Sequence, residues 1–202
     1  MKVIEQEIHS LKNSISEMWA LVHQQLYNAG EAMLTGDKEL AYKVISRERR
    51  VNAFELKIDS DCEDIIALYA PVAIDLRFVL AMYKINTNLE RLGDFAESIA
   101  RFAGNLPEGE PIDPQLVKET RVEEMLSELL SMISLTKEAF EKESSEIASR
   151  IFLKDNLIDE INHNSTAIIA KYIEEHKGSA LAGLYMAGVI RKMERFGDHC
   201  TN

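Results

Sequence analysis

Apolar residues return every three to four positions along most of this chain. In the first segment Ile4, Ile8, Leu11, Ile15, Trp19, Val22 and Leu26 fall on one stripe, the 3.6-residue period of an amphipathic helix. Breaks in the pattern divide the chain into elements. Thr35-Gly36-Asp37 ends helix one, which spans about residues 3–34, and Asp37 caps helix two, which continues towards Tyr69, because an N-cap carboxylate takes up otherwise free N–H groups. Pro71 suits the first turn of helix three, which reaches about Ala103, since proline has no N–H to lose there. Residues 105–114 hold three of the four prolines and read as the one linker. Helix four then covers about residues 115–143, helix five runs from Ser145 to about His176 with Ser144 as its cap, and helix six starts at Ser179 after Gly178. Short connections make consecutive helices antiparallel. The expected fold is all-α, with six helices in two antiparallel, up-down-up three-helix bundles. Helix six reads as unfinished where the sequence stops at Asn202, four residues past Asp198.

The two bundles are expected to be copies of one another. Glu90-Arg91-Leu92-Gly93-Asp94 returns 104 residues later as Glu194-Arg195-Phe196-Gly197-Asp198, and Met82 meets Met186 in the same register. Further upstream the offset is 107. There Glu39-Leu40-Ala41 meets Glu146-Ile147-Ala148, Val44 meets Ile151, Glu48 meets Asp155, Val51 meets Ile158 and Asn52 meets Asp159. Such self-similarity marks a tandem repeat, with three residues lost before the last helix of the second copy. The boundary falls in the linker, giving one repeat over residues 1–105 and another over 106–202.

Each motif places two carboxylates four residues apart. On a helix such side chains are neighbours, at about 5–6 Å, and like charges there destabilise by about 0.2–0.5 kcal/mol. A hard di- or trivalent cation removes that repulsion by taking the carboxylate oxygens as ligands. On a helical wheel Glu90, Asp94 and Glu97 share a line on helix three, while Ile85, Leu89, Leu92, Ala96 and Ile99 lie opposite. Helix two carries Glu48, Asn52, Glu55 and Asp59 on one stripe, and helix five carries Asp155, Asp159, Asn162 and Thr166. Neighbouring helices thus bring two oxygen-rich stripes together in each repeat, enough for a six-coordinate ion with waters or for a bridged cluster. The competing reading is a solvated charged face in which Arg91 and Arg195 neutralise their neighbours. Gly93 and Gly197 cost about 1 kcal/mol each relative to alanine in mid-helix, so their recurrence points to close helix approach.

Composition narrows the function further. A net charge of −11, from 34 acidic and 23 basic residues, with no basic patch, argues against nucleic acid or an anionic membrane as partner. No apolar run approaches the 18 or so residues of a membrane span, and the amphipathic, acidic start is unlike a signal peptide; a cytoplasmic protein is expected. Cys62 and Cys200 are the only cysteines and lack metal-type spacing. A Gly-rich phosphate loop and an activated nucleophile are not legible, so no enzymatic activity is expected. A carboxylate-bridged di-iron oxidase is the alternative, but that plan needs two Glu-x-x-His elements, and only Glu160-Ile161-Asn162-His163 fits.

The ordered motifs as a set resemble a known family. The segment Arg50-Val51-Asn52-Ala53-Phe54-Glu55-Leu56-Lys57-Ile58-Asp59 is followed by Ala70-Pro71-Val72-Ala73-Ile74-Asp75-Leu76-Arg77 and Leu89-Glu90-Arg91-Leu92-Gly93-Asp94-Phe95-Ala96. Together these are similar to the first repeat of the PhoU family of phosphate-uptake regulators, and Met193 to Asn202 resembles its second. The resemblance implies metal clusters, of iron or zinc in some members, held on Glu/Asp-x-x-x-Asp motifs. The matching positions are Glu90 and Asp94, Glu194 and Asp198, Asp155 and Asp159, and either Glu48 with Asn52 or Glu55 with Asp59. Asn52 stands where the family has an acid, which weakens the first-repeat site, because a neutral amide oxygen is a poorer ligand than a carboxylate. The resemblance further implies a homodimer that negatively regulates phosphate-starvation signalling by linking a phosphate ABC transporter to a sensor histidine kinase. Membrane association would then come only through those proteins.

Overall fold

The computed structural model describes residues 3–105 and 112–202. Seven helices follow in order: α1 (Val3–Thr35), α2 (Lys38–Tyr69), α3 (Ile74–Gly104), α4 (Pro114–Thr120), α5 (Val122–Lys142), α6 (Ser145–Glu175) and α7 (Ala180–Thr201). The α1–α2 break forms as the sequence indicates. Asp37 accepts from the Leu40 N–H at 2.9 Å, and Gly36 takes φ +72°, a backbone conformation that glycine adopts without steric cost. Ser144 caps α6 by accepting from the Ile147 N–H, and Gly178, at φ +92°, precedes α7. Six of the ten expected linker positions from 105 to 114, residues 106–111, lie outside the described residues.

Two elements depart from the sequence reading. Pro71 does not open α3, which begins at Ile74. Ala70 closes α2 in the left-handed region, its N–H bonded to Ile66 O, and Ala73 also has positive φ, at 49°. Residues 70–73 therefore form a turn in which Pro71, having no N–H, cannot extend α2. The expected fourth helix is broken in two at Arg121, whose φ is 57°. Its guanidinium offsets that strained backbone by binding Glu124 at 2.7 Å and Glu160 of α6 at 2.7 Å. The short α4 is fastened on its other side. Asp113 caps it at the Gln115 N–H and accepts from the Tyr172 hydroxyl of α6.

In the first half α1, α2 and α3 pack pairwise, and in the second α5, α6 and α7 do the same. Each is a three-helix bundle, and the fold is a tandem helical repeat. The halves meet along α1 with α5 and along α3 with α7. At the first contact Trp19 stacks on Phe140 at 5.3 Å and donates to Thr136 Oγ1 at 3.2 Å. There Gly30 lies so close to α5 that an added Cβ would fall 2.2 Å from Leu126 Cδ2. At the second contact Phe102 meets Tyr185 edge-on at 4.6 Å, while His199 bonds Asn88 at 2.8 Å, so α3 and α7 run antiparallel. One continuous set of buried residues from Leu11 to Cys200 joins the two bundles. Among the described residues no helix is long and apolar enough to cross a membrane.

Candidate functional site

The glycine inside each repeated motif decides how near the acidic stripes come. A Cβ on Gly93 would lie 2.8 Å from Val51 Cγ1, and one on Gly197 would lie 3.0 Å from Asp155 Oδ1 and 3.4 Å from Ile158 Cγ2. Val51 and Ile158 are repeat equivalents, so the same close approach seats α3 on α2 and α7 on α6. Two seams result, each lined by carboxylates from both helices.

In the first seam Glu48, Asn52, Glu55 and Asp59 come from α2, and Glu90, Asp94 and Glu97 from α3; all are half-buried. Burial is the main reason Glu90 is pushed up to about 7, and the neighbouring Asp94 and Glu55 charges raise it further, against the opposing pull of Arg91. Glu48 is raised by burial, an effect moderated by a hydrogen bond from Asn52 and reinforced by Glu97 and Asp94. Glu55 is raised by burial, then by Asp59 and Asp94. These shifts mean that the folded chain holds negative charges where they repel each other and water only partly screens them.

The second seam joins Asp155 and Asp159 of α6 to Glu194 and Asp198 of α7. Asp155 is raised by burial and then by Asp159, Asp198 and Glu194. Glu194 is raised by burial and Asp198, with Arg195 and Arg191 acting in the opposite sense. This seam is the more open one. Asp159 and Asp198 are exposed, and Asn162 and Thr166 occupy the positions of Glu55 and Asp59. Glu160, the acid of the lone Glu-x-x-His element, is bound instead by Arg121. Cys62 and Cys200 are free and buried, and burial raises both thiols, which suits inert core packing.

One participant was missed by the sequence reading. Asn86 of α3 is fully buried, and its Nδ2 donates to Asp59 Oδ1 at 2.7 Å and to the Glu55 carbonyl at 2.9 Å. The available signal was its place on α3 one turn before Glu90, on the line that Asp94 and Glu97 continue, at the position that Ile190 fills in α7. Asn86 Oδ1 and Asn52 Oδ1 are both buried without a hydrogen-bond partner, although such an orphaned atom costs about 1–3 kcal/mol. An oxygen left unmatched among other oxygens is satisfied by a cation or a water, not by its neighbours. By donor type and charge the seams therefore fit a hard cation. As the side chains stand, however, no group of three or more His, Cys, Asp or Glu among the described residues is arranged to hold one ion. Shared ligation would need the carboxylates to rotate towards one another across each seam.

Comparisons with known proteins agree with this duplicated architecture. The family model described as PhoU domain matches twice, over residues 15–103 and 122–202. Similar curated proteins include phosphate-specific transport system accessory protein PhoU homolog 1 of Thermotoga maritima, 31% identical over 198 residues, which cover 98% of this chain and 84% of that protein. Phosphate-specific transport system accessory protein PhoU of Escherichia coli K12 is 33% identical over 196 residues, covering 97% of this chain and 80% of the relative. Among solved structures, PhoU from Pseudomonas aeruginosa superposes with a TM-score of 0.91 at 28% identity, over 98% of this chain and 93% of that one.

Proposed function

This chain belongs to the PhoU family, and on that premise we propose that it is a non-enzymatic regulator of phosphate uptake. It links a phosphate ABC transporter to a sensor histidine kinase and keeps phosphate-starvation genes repressed when phosphate is plentiful. The observation that carries the reading is the match of both halves to the PhoU domain, together with relatives named as accessory proteins of phosphate transport. A cytoplasmic homodimer that reaches the membrane only through its protein partners completes the proposal. The charge of −11 is consistent with that, since anionic lipid would repel such a surface.

The seams would hold metal ions, iron or zinc, through Glu90, Asp94, Glu48, Asn52, Glu55 and Asp59 in the first repeat and Glu194, Asp198, Asp155 and Asp159 in the second. A bound cation would neutralise the mutual repulsion of these groups and fasten each helix pair. Deleting the gene tests the regulatory role: starvation genes should stay active in excess phosphate, and normal repression in the deletion strain overturns the proposal. Metal analysis of protein prepared without affinity resin tests the seams. The Glu194→Ala/Asp198→Ala variant should retain its helicity and lose about half of the bound metal, and unchanged stoichiometry would reject the assignment.

A further inference from the structure

The junction between α3 and α7 carries a charge unlike the rest of the chain. These two helices hold seven basic and six acidic residues, in a protein with 23 basic and 34 acidic. Across the junction Asn88 bonds His199 at 2.8 Å, the Phe95 and His199 rings lie 5.5 Å apart, and Lys192 sits 5.7 Å over the Phe95 ring. Asn88 and Lys192 are repeat equivalents, as are Phe95 and His199. The halves therefore meet about a local two-fold whose centre falls between Arg91 and Arg195. Both arginines are exposed. Both act on His199, which burial first and then these two charges hold below its usual value, against the opposing pull of Asp198. Each arginine also pulls on the motif glutamate beside it. Yet among the described residues neither lies within ion-pair distance of a carboxylate.

We propose that this junction is a docking surface for a short acidic segment of a partner protein, whose carboxylates bind Arg91 and Arg195 on either side of the local two-fold. The inference rests on the reading of the chain as an adaptor. A guanidinium fork without a carboxylate of its own suits bidentate binding of one from outside. The Asn88–His199 bond and the ring contacts already fasten α3 to α7, so forming the surface needs little further ordering, which favours binding. Carboxylates follow on both sides, Glu90 and Asp94 on α3 and Glu194 and Asp198 on α7. They limit the acidic segment to a few residues, because the phosphates of a nucleic-acid strand would run on over these like charges and be repelled.

The test is fluorescence anisotropy with a fluorescein-labelled hexaglutamate peptide at low ionic strength. The wild-type chain should bind the peptide, more weakly as salt is added, and no binding overturns the proposal. Arg91→Ala/Arg195→Ala should keep its helicity and bind at least about threefold more weakly, the loss expected of two exposed ion pairs. Arg49→Ala/Lys177→Ala leaves the same net charge but alters α2 and the α6–α7 turn instead, and its binding should match the wild type. An equal loss in both variants shows general attraction to positive charge and overturns the docking site. Tighter binding of a labelled thymidine hexanucleotide than of the peptide overturns the choice of partner. Either failure leaves the deletion phenotype, and with it the adaptor reading, to be judged on its own result.

Discussion

At Glu90, burial and two carboxylate neighbours act in the same direction, and the residue is pushed up to about 7. The pH consequence follows from proton counting. Between the unfolded value near 4.5 and about 7 the folded chain binds more protons at this position than the unfolded chain, so the contribution is complete below about 4.5 and is lost as pH rises through about 7. Glu90→Gln mimics the protonated form at every pH. In metal-free protein it should match the wild type in thermal stability near pH 5 and exceed it at pH 8; a pH-independent difference between the two would contradict the assignment. Sequence alone located Glu90 and Asp94 through their repetition. It could not supply the shift, which depends on how closely α2 approaches. Nor did it identify Asn86, because one asparagine a turn before Glu90 does not show whether it will be buried or which acceptors will meet it.

At the scale of elements, Gly93 and Val51 are one device. Alanine at Gly93 gains about 1 kcal/mol of helix propensity, but its Cβ would sit 2.8 Å from a valine that is 1% exposed, and overpacking of this kind costs about 1–3 kcal/mol. Gly93→Ala should therefore be neutral to about 2 kcal/mol destabilising in urea unfolding, and Gly93→Val worse. In a Val51→Ala background the Gly93→Ala cost should shrink, giving a favourable coupling of about 0.5 kcal/mol or more in a double-mutant cycle. Arg121 marks a different kind of joint. Arg121→Gly relieves the left-handed strain but also removes two exposed ion pairs of small worth, so its stability in urea unfolding should change little, whereas Arg121→Ala keeps the strain, loses the pairs and should lower it. Helix positions were legible because apolar periodicity runs unbroken within each element and Asp37, Ser144 and Gly178 punctuate it. The break at Arg121 was not legible, since arginine is a good helix former and one of its two carboxylate partners, Glu160, lies on a distant helix. Pro71 misled for the complementary reason: proline suits a first helical turn, but two alanines with positive φ displaced that turn to Ile74.

At the scale of the whole molecule, the bundles meet where α1 packs on α5 and α3 on α7. Trp19 of α1, the sole tryptophan, lies between the halves against Phe140. Unfolding followed by Trp19 fluorescence should coincide with unfolding followed by far-ultraviolet circular dichroism, the mark of one cooperative unit. An earlier fluorescence transition would show the halves parting before either melts. The inter-half contacts also set a timetable for synthesis. Trp19 and Thr136 are 117 residues apart and Lys12 and Glu143 are 131 apart, so at about 5–20 residues per second the ribosome needs roughly 6–23 seconds to deliver the partner of Trp19. Throughout that interval the nascent first bundle exposes the flank of α1 that α5 later covers, and the flank of α3 waits longer still for α7.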